Sequence, residues 1–166
     1  MNMSLKATLC ATALQAASIE LPAQEAALPN ATASQTIARA GSQHSVAGPS
    51  EYFTGRVRID PVWPATSEID ASGGLVTFEP GARSAWHTHP KGQRLVVISG
   101  VGRTQEWGQP IQEIRAGDVI WCPPGIKHWH GAGLFTSLTH LAVTGTLNGK
   151  NVEWMEKVTD EQYASN

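Results

Sequence analysis

Short apolar runs separated by turn residues occupy the chain from Tyr52 to Thr146. The turns are Pro80-Gly81, Pro90-Lys91-Gly92, Gly108-Gln109-Pro110, Ala116-Gly117-Asp118 and Pro123-Pro124-Gly125. Glycine and proline at such short intervals favour short strands over helices. The predicted strands are residues 55–59, 74–78, 85–88, 94–99, 102–106, 111–114, 118–122, 127–130 and 137–146. Many short strands with this regular punctuation indicate an all-β sandwich or closed barrel.

The chain divides into three predicted parts. Residues 51–166 are expected to form one domain, because 166 residues are enough for one core but not for two comfortable domains. Only the end of this domain is predicted to be helical, where Thr159 would cap a turn through residues 160–162. Residues 28–50 are rich in Ala, Ser, Thr and Gln and are predicted to be a flexible linker.

Residues 1–27 have the order of a secretory signal peptide. One cation, Lys6, precedes an apolar run from Ala7 to Ala17, and small residues follow. The protein is therefore predicted to be periplasmic or secreted, with a disordered extension on a cytoplasmic protein as the alternative. The apolar run is too short to span a bilayer, so no membrane span is predicted. The net charge of −2 and the scattered basic residues predict no nucleic-acid partner.

Two pairs of histidines occur with one residue between their members, His87 with His89 and His128 with His130. Side chains two residues apart project from the same face of a strand. A tryptophan adjoins each pair, which predicts that both pairs lie in or near the core. Several buried imidazoles without a shared partner would be unfavourable, and a divalent ion would take their lone pairs. The spacing therefore predicts a metal site, with coincidence on a surface as the alternative.

The residues around these histidines have the spacing of two sequence motifs. The first runs Gly81, five residues, His87, one residue, His89, three residues, Gln93, six residues, Gly100. The second runs Gly117, five residues, Pro123, one residue, Gly125, two residues, His128. They resemble the two motifs of the cupin family, with Gln93 in place of the usual glutamate and Ala132 in place of the usual asparagine. The resemblance implies a single-domain cupin, a small β-barrel or jelly roll, with metal ligands His87, His89, Gln93 and His128.

The chain from about Gly41 to Tyr163 is similar to the small bacterial cupin hydroxynitrile lyases. The similarity is carried by "YFTGRVRIDP", "VTFEPGARSAWHTHPKGQ", "GDVIWCPPGIKHWHG", "LTHLAV" and "WMEKVTDEQY". It implies a lyase that cleaves or forms cyanohydrins such as (R)-mandelonitrile, with His140 as the acid and base. It also implies manganese as the metal, although these donors equally suit iron, cobalt, nickel or zinc. A homodimer or homotetramer is expected, because a free edge strand of a small barrel is usually paired or covered.

Glutamine at a position where cupins carry glutamate changes the charge of the predicted site. Three histidines and a glutamine leave a divalent ion at +2, whereas a glutamate would reduce the total to +1. One charge at ~4 Å with an effective dielectric constant of ~20 corresponds to about 4 kcal/mol. This upper-end value equals roughly three pKa units on a bound hydroxyl, so the site is predicted to be a stronger Lewis acid. The same change disfavours a higher oxidation state of the metal.

The lyase hypothesis assigns the proton transfer to His140, whose ordinary pKa lies near neutrality. The hydroxyl proton of the cyanohydrin passes to His140, and the alkoxide then expels cyanide. His130 is assigned to the pocket as a second candidate catalytic residue, with simple packing as the alternative. For His140 the alternative is a core histidine bonded to a backbone carbonyl. Two other functions keep the same fold, an O₂-dependent metal oxidoreductase and a non-catalytic cupin that binds small ligands in the periplasm.

Strand alternation also predicts which other side chains face the interior and which face the solvent. The residues with the parity to line a cavity are Val76, Phe78, Leu95, Val97, Ala142 and Thr144. Arg83 and Arg94 lie next to motif residues and are expected at exposed positions on the rim.

Overall fold

The computed structural model describes residues 34–165, most of which lie in or between β-strands. In chain order the strands are β1 Val46–Ala47, β2 Phe53–Thr54, β3 Val57–Trp63, β4 Ala71–Phe78, β5 Arg83–Ser84, β6 His87–Thr88, β7 Gln93–Glu106, β8 Gln112–Arg115, β9 Val119–Cys122, β10 His128–Ala132, β11 Leu138–Gly145 and β12 Glu153–Trp154. They are followed by a five-residue helix, α1 Asp160–Ala164. Among these residues, no helix has the length and apolar character needed to cross a membrane. The predicted signal peptide, residues 1–27, lies outside the described residues.

The strands form one antiparallel sheet in the order β1-β3-β4-β11-β7-β10-β5-β2. The long strand β7 belongs to both parts of this sheet, because its two ends pair with different strands. The first part of β7 pairs with β9 and β11, and the part from Val101 to Glu106 pairs with β8 and β10. Strand β6 pairs with β10 on one side and β12 on the other. The all-β class predicted from the turn spacing is confirmed.

Strand β7 differs from the prediction, which divided it into residues 94–99 and 102–106. The chain bends at Gly100 without losing its pairing on either side. Gly100 has φ +84, and a Cβ atom there would lie 2.0 Å from the carbonyl oxygen of Ser137. Because only glycine fits this conformation and this close approach, the apparent break is a bend within one strand.

Four two-residue strands, β1, β2, β5 and β12, were not predicted, because so short a segment carries no periodic pattern. Strand β1 lies within residues 28–50, the range predicted to be a linker, and its Val46 pairs with Ile59 of β3. The predicted strand 85–88 is shorter than expected: only His87 and Thr88 form a strand, β6, and Ala85 and Trp86 lie between β5 and β6. The long-range partners of these segments, and not their own sequence, determine their extended form.

The end of the chain is held against strands β5 and β10. Helix α1 begins with the predicted cap, in which Gln162 N–H donates to the Thr159 hydroxyl and Thr159 N–H donates to the Gln162 side chain. The hydroxyl of Tyr163 donates to the carbonyl of Ala132 in β10 at 2.8 Å. This docking covers the side of β10 opposite to the candidate site.

The prediction that Arg83 is exposed on the rim is wrong. Its side chain is 5% exposed, it donates to the carbonyl of Val158 at 3.0 Å, and it lies 4.6 Å from the ring centre of Tyr163. A guanidinium group can be buried there because the docked end of the chain supplies an acceptor and an aromatic face. Arg94 is exposed as predicted, and its guanidinium lies over the ring of Trp121.

Candidate metal centre

Five of the six histidines of the chain are buried and gather on one side of the curved sheet. His87 in β6 pairs directly with His128 in β10, and His130 lies two residues further along β10. His89 follows β6, and His140 lies in β11. Thr139 pairs with Ser99 while His140 pairs with Val97, so a bulge in β7 directly precedes the pairing of His140. The sixth, His44, is exposed.

Three of these imidazoles are held by the backbone through the same ring nitrogen. In each, Nδ1 lies within hydrogen-bonding distance of a carbonyl oxygen. The pairs are His87 with Ala85 at 2.9 Å, His89 with Asn151 at 2.5 Å, and His128 with Ile126 at 2.9 Å. A carbonyl can only accept, so Nδ1 carries the hydrogen and Nε2 keeps its lone pair. This arrangement is the one that presents a neutral imidazole to a metal ion.

Several buried acceptor atoms in this cluster have no hydrogen-bond partner. They are Nε2 of His89, Oε1 of Gln93, Nε2 of His128 and Nδ1 of His140. The ring centres of His87 and His128 lie 4.3 Å apart, and His89 lies 5.0 Å from His87 and 5.3 Å from His128. Unpartnered buried acceptors are unfavourable, and a divalent transition ion would satisfy three of these four. The residues present therefore fit a metal ion.

Among the described residues, the three histidines whose ligand atoms lie close enough to share an ion are a different trio. The ligand atoms of His87, His128 and His130 all lie within 4.8 Å of one another. However, Nδ1 of His130 lies 3.1 Å from Nε2 of His140 and has no carbonyl partner. The hydrogen bonds therefore orient His89 and Gln93 as ligands better than they orient His130.

His130 and His140 form a buried pair of imidazoles. The rings are 4.8 Å apart, and both lie against Phe78. If Nε2 of His140 carries the hydrogen, His140 donates to His130 and its own Nδ1 keeps a free lone pair. That tautomer leaves a nitrogen able to accept a proton. The hydrogen-bond partner of this ring is a second imidazole.

Burial keeps all five imidazoles neutral at neutral pH. Desolvation lowers the pKa of His128 and of His140 to about 4. Desolvation, followed by repulsion from neighbouring imidazoles, lowers the pKa of His87 and His130 well below 6.5. The sequence hypothesis used the ordinary pKa for His140, since burial cannot be read from the residue itself. His140 is therefore neutral and has a lone pair for a proton, but its lowered pKa makes it a weaker base than an exposed imidazole.

Four of the five clustered histidines, all but His128, line a cavity of about 460 Å³. The site residues on its wall are His87, His89, Gln93, His130 and His140. The apolar side chains on its wall belong to Phe53, Ile59, Pro61, Trp63, Pro64, Val76, Ala142, Val152 and Trp154. No lysine, arginine, aspartate or glutamate lines this cavity, which therefore suits an uncharged apolar molecule.

Strand parity identified only part of the cavity wall. Val76, Ala142 and Thr144 line the cavity as predicted. The other three residues with this parity are packed in the core instead, namely Phe78, Leu95 and Val97. Parity missed Trp63 and Trp154, which reach the wall from an irregular end of β3 and from a two-residue strand. The presence of six tryptophans was the only sequence signal for them.

The lowered pKa values predict that the metal-free protein is sensitive to acid. In the unfolded chain, histidines take up protons as the pH falls below about 6.5, whereas folded His128 and His140 stay neutral until about 4. Stability is thus complete above pH 6.5 and decreases as the pH falls toward 4, by roughly 3 kcal/mol per pH unit for these two groups. Urea unfolding of chelator-treated protein between pH 8 and 4.5 measures this slope. A free energy of unfolding that stays constant from pH 7 to 5 would contradict it.

Comparisons with known proteins agree with the fold. The sequence model of a family described as a cupin domain matches residues 74–133. An (R)-mandelonitrile lyase from Granulicella tundricola is 57% identical over 127 residues, which cover 76% of this chain and 97% of that protein. A cupin-like protein from Thermotoga maritima superposes with a TM-score of 0.67 at 37% identity, over 78% of this chain and 95% of its own. A cupin-2 domain protein from Rhodospirillum rubrum has a TM-score of 0.60 at 16% identity, over 78% and 84%, and shows the fold alone.

Proposed function

The chain belongs to the cupin family, and on that premise we propose that it is a metal-dependent lyase that cleaves and forms cyanohydrins such as (R)-mandelonitrile. One observation carries this proposal. His140 has a buried Nδ1 without a hydrogen-bond partner. It lines the same cavity as His89 and Gln93, whose Nε2 and Oε1 atoms also have no partner and could ligate a metal ion. A proton acceptor and three of the four proposed metal ligands, His87, His89 and Gln93, thus line one apolar cavity. The 57% identity to a protein named (R)-mandelonitrile lyase supports the same reaction.

We assign the metal ligands to His87, His89, Gln93 and His128, with manganese as the favoured ion. The three backbone-held Nδ1 atoms and the unpartnered atoms of His89, Gln93 and His128 support this set. When bound, such an ion supplies Lewis-acid stabilisation of negative charge on the substrate oxygen. Gln93 adds no negative charge to the set, so this stabilisation is stronger than with a glutamate at that position.

His140 moves the proton in the proposed reaction. As the hydroxyl proton of the cyanohydrin passes to Nδ1 of His140, the O–H electron pair forms the carbonyl bond, and the C–C pair leaves with cyanide. His140 then returns the proton, giving hydrogen cyanide and the aldehyde. Nε2 of His140 lies 3.1 Å from Nδ1 of His130. In the tautomer with the hydrogen on Nε2, His140 donates to His130, and this bond stabilises the charged form of His140 while it holds the proton.

The cavity selects for an uncharged aromatic substrate. Its wall contains the aromatic rings of Phe53, Trp63 and Trp154 and no charged side chain. Trp154 stands next to His87, with ring centres 4.9 Å apart, so the apolar wall begins directly beside the proposed ligands. An aryl group can pack on these rings. A charged group would lose its hydration without gaining a partner.

The proposed function is tested by cyanide release from both enantiomers of mandelonitrile. Protein loaded with one equivalent of manganese should release cyanide, faster from the (R) than from the (S) enantiomer, at equal rates in air and under nitrogen. The chelator-treated protein is the control, and its activity should return with manganese. Turnover that requires O₂ would favour an oxidoreductase instead. Absence of cyanide release from protein with stoichiometric manganese would overturn the lyase assignment.

We also propose that the protein forms a homodimer or homotetramer and is exported. Ile98 in β7 and Val119 and Trp121 in β9 are 53%, 60% and 50% exposed on neighbouring strands, an apolar surface that a second copy could cover. Light scattering of the purified protein would show a monomer if this is wrong. Export to the periplasm or the medium rests on the signal-like order of residues 1–27. Determination of the N-terminus of the protein produced in a bacterial host tests it.

A further inference from the structure

The side chain of Gln93 is asymmetric, and its two ends have different partners. Its Nε2 donates to the hydroxyl of Thr144 at 3.0 Å, whereas its Oε1 is buried without a partner. Gln93 and Thr144 are each 6% exposed, so water does not readily replace the hydrogen bond between them. The oxygen of a carboxamide can ligate a cation, and its –NH₂ group cannot. When the –NH₂ group of Gln93 donates to Thr144, the carboxamide is oriented so that its oxygen has no other partner and can ligate a cation.

We propose that Thr144 is a positioning residue that holds the carboxamide of Gln93 with its oxygen available to the metal ion; this inference rests on the metal site proposed above. Thr144 lies directly opposite Gln93 in the pairing of β11 with β7. Strand β11 is paired on its other side with β4, where Thr144 faces Ser72. The hydroxyl is thus fixed by a strand that is bonded on both sides.

The effect of Thr144 follows from the –NH₂ group of Gln93. With Oε1 toward the imidazoles, the –NH₂ group is buried and needs an acceptor, which the Thr144 hydroxyl provides. Valine has nearly the shape of threonine but no acceptor, so the same orientation would leave a buried donor unpaired. The ligating orientation then becomes less favourable, and metal binding weakens.

Thr144→Val tests this inference through manganese affinity, which does not depend on turnover. Equilibrium dialysis against MnCl₂ should show binding 10- to 100-fold weaker, in the usual range for a residue that orients a ligand. Thr144→Ser keeps the hydroxyl and should restore most of the affinity. Thr139→Val is a matched control, since Thr139 lies on the same strand and its hydroxyl pairs with Thr77 outside the cavity. Thr139→Val should leave manganese affinity unchanged.

A second ligand background separates orientation from general damage to the site. A carboxylate has two equivalent oxygens and no –NH₂ group to satisfy, so Gln93→Glu should make binding independent of the acceptor at position 144. In that background Thr144→Val should change manganese affinity less than about threefold. An equal loss in both backgrounds would show that Thr144 supports the fold only and would overturn the proposal.

The remaining outcomes are also decisive. Wild-type affinity in Thr144→Val would overturn the role of Thr144 while leaving the proposed ligands in place. Absence of manganese binding by the wild-type protein would overturn the metal site itself, which distinguishes the two failures. If circular dichroism shows that Thr144→Val is unfolded, Thr144→Ala carries the same expectation, because it also lacks the acceptor and has less volume to accommodate.

Discussion

His140→Ala should lower kcat for (R)-mandelonitrile by about 10²- to 10⁴-fold, the range usual for loss of a general acid and base. His140 is completely buried, its Nδ1 has no partner, and its Nε2 contacts only His130 among the hydrogen-bonding groups of the described residues. Its removal takes away this acceptor beside the proposed ligands and leaves Nδ1 of His130 without its partner. The ring of His140 is not one of those ligands, so manganese content should stay at the wild-type value. Turnover and metal content, measured on the same preparation, check both parts.

Two controls make the His140 result specific. His44→Ala removes the exposed histidine and should leave turnover unchanged. His130→Ala removes the partner of His140 and should lower turnover less, because His140 can still take the proton but its charged form loses a hydrogen bond. Full activity in His140→Ala would exclude the proposed role. Loss of manganese together with activity would instead place His140 in the metal site.

Much of the fold could be predicted because it depends on local rules. The turn residues separated the main strands, and the capping box at Thr159 was visible in four consecutive residues. The features that were missed depend on distant partners. The bend at Gly100 is invisible until Ser137 is placed against it. The burial of Arg83 follows from the docking of Val158 and Tyr163, more than seventy residues away.

The candidate site also combines features that depend on local sequence with features that depend on distant partners. His87 and His89 lie in one short motif and His128 lies in a second. Because the spacing within each motif can be read from a short stretch of sequence, these histidines could be predicted to form a cluster without knowledge of the fold. The contact between His130 and His140 is not local, since it depends on the curvature that brings β10 close to β11. The low pKa of His140 follows from that burial and could not come from the residue type. The sequence thus predicted the histidine cluster more readily than the contact between His130 and His140.

Gln93→Glu should change metal affinity and turnover in opposite directions. The added carboxylate brings a negative charge into a buried cluster of neutral imidazoles, so manganese should bind more tightly. The same charge, worth at most about 4 kcal/mol at this range, makes the substrate hydroxyl a weaker acid. We therefore expect kcat/KM for (R)-mandelonitrile to fall by about 10- to 1000-fold. The rate should recover partly at higher pH, because a weaker acid loses its proton more readily there.

Tighter manganese binding together with a lower kcat/KM would show that Gln93 acts through its lack of charge. A variant that only disturbed the cavity would lose affinity and turnover together. Gln109→Glu, at an exposed position outside the cavity, adds the same charge far from the cluster and should alter neither quantity. If Gln93→Glu kept wild-type kcat/KM with manganese bound, the charge of the donor set would not govern the proton transfer. Catalysis would then have to depend on the placement of His140 and the substrate in the apolar cavity, since no other charged side chain lines it.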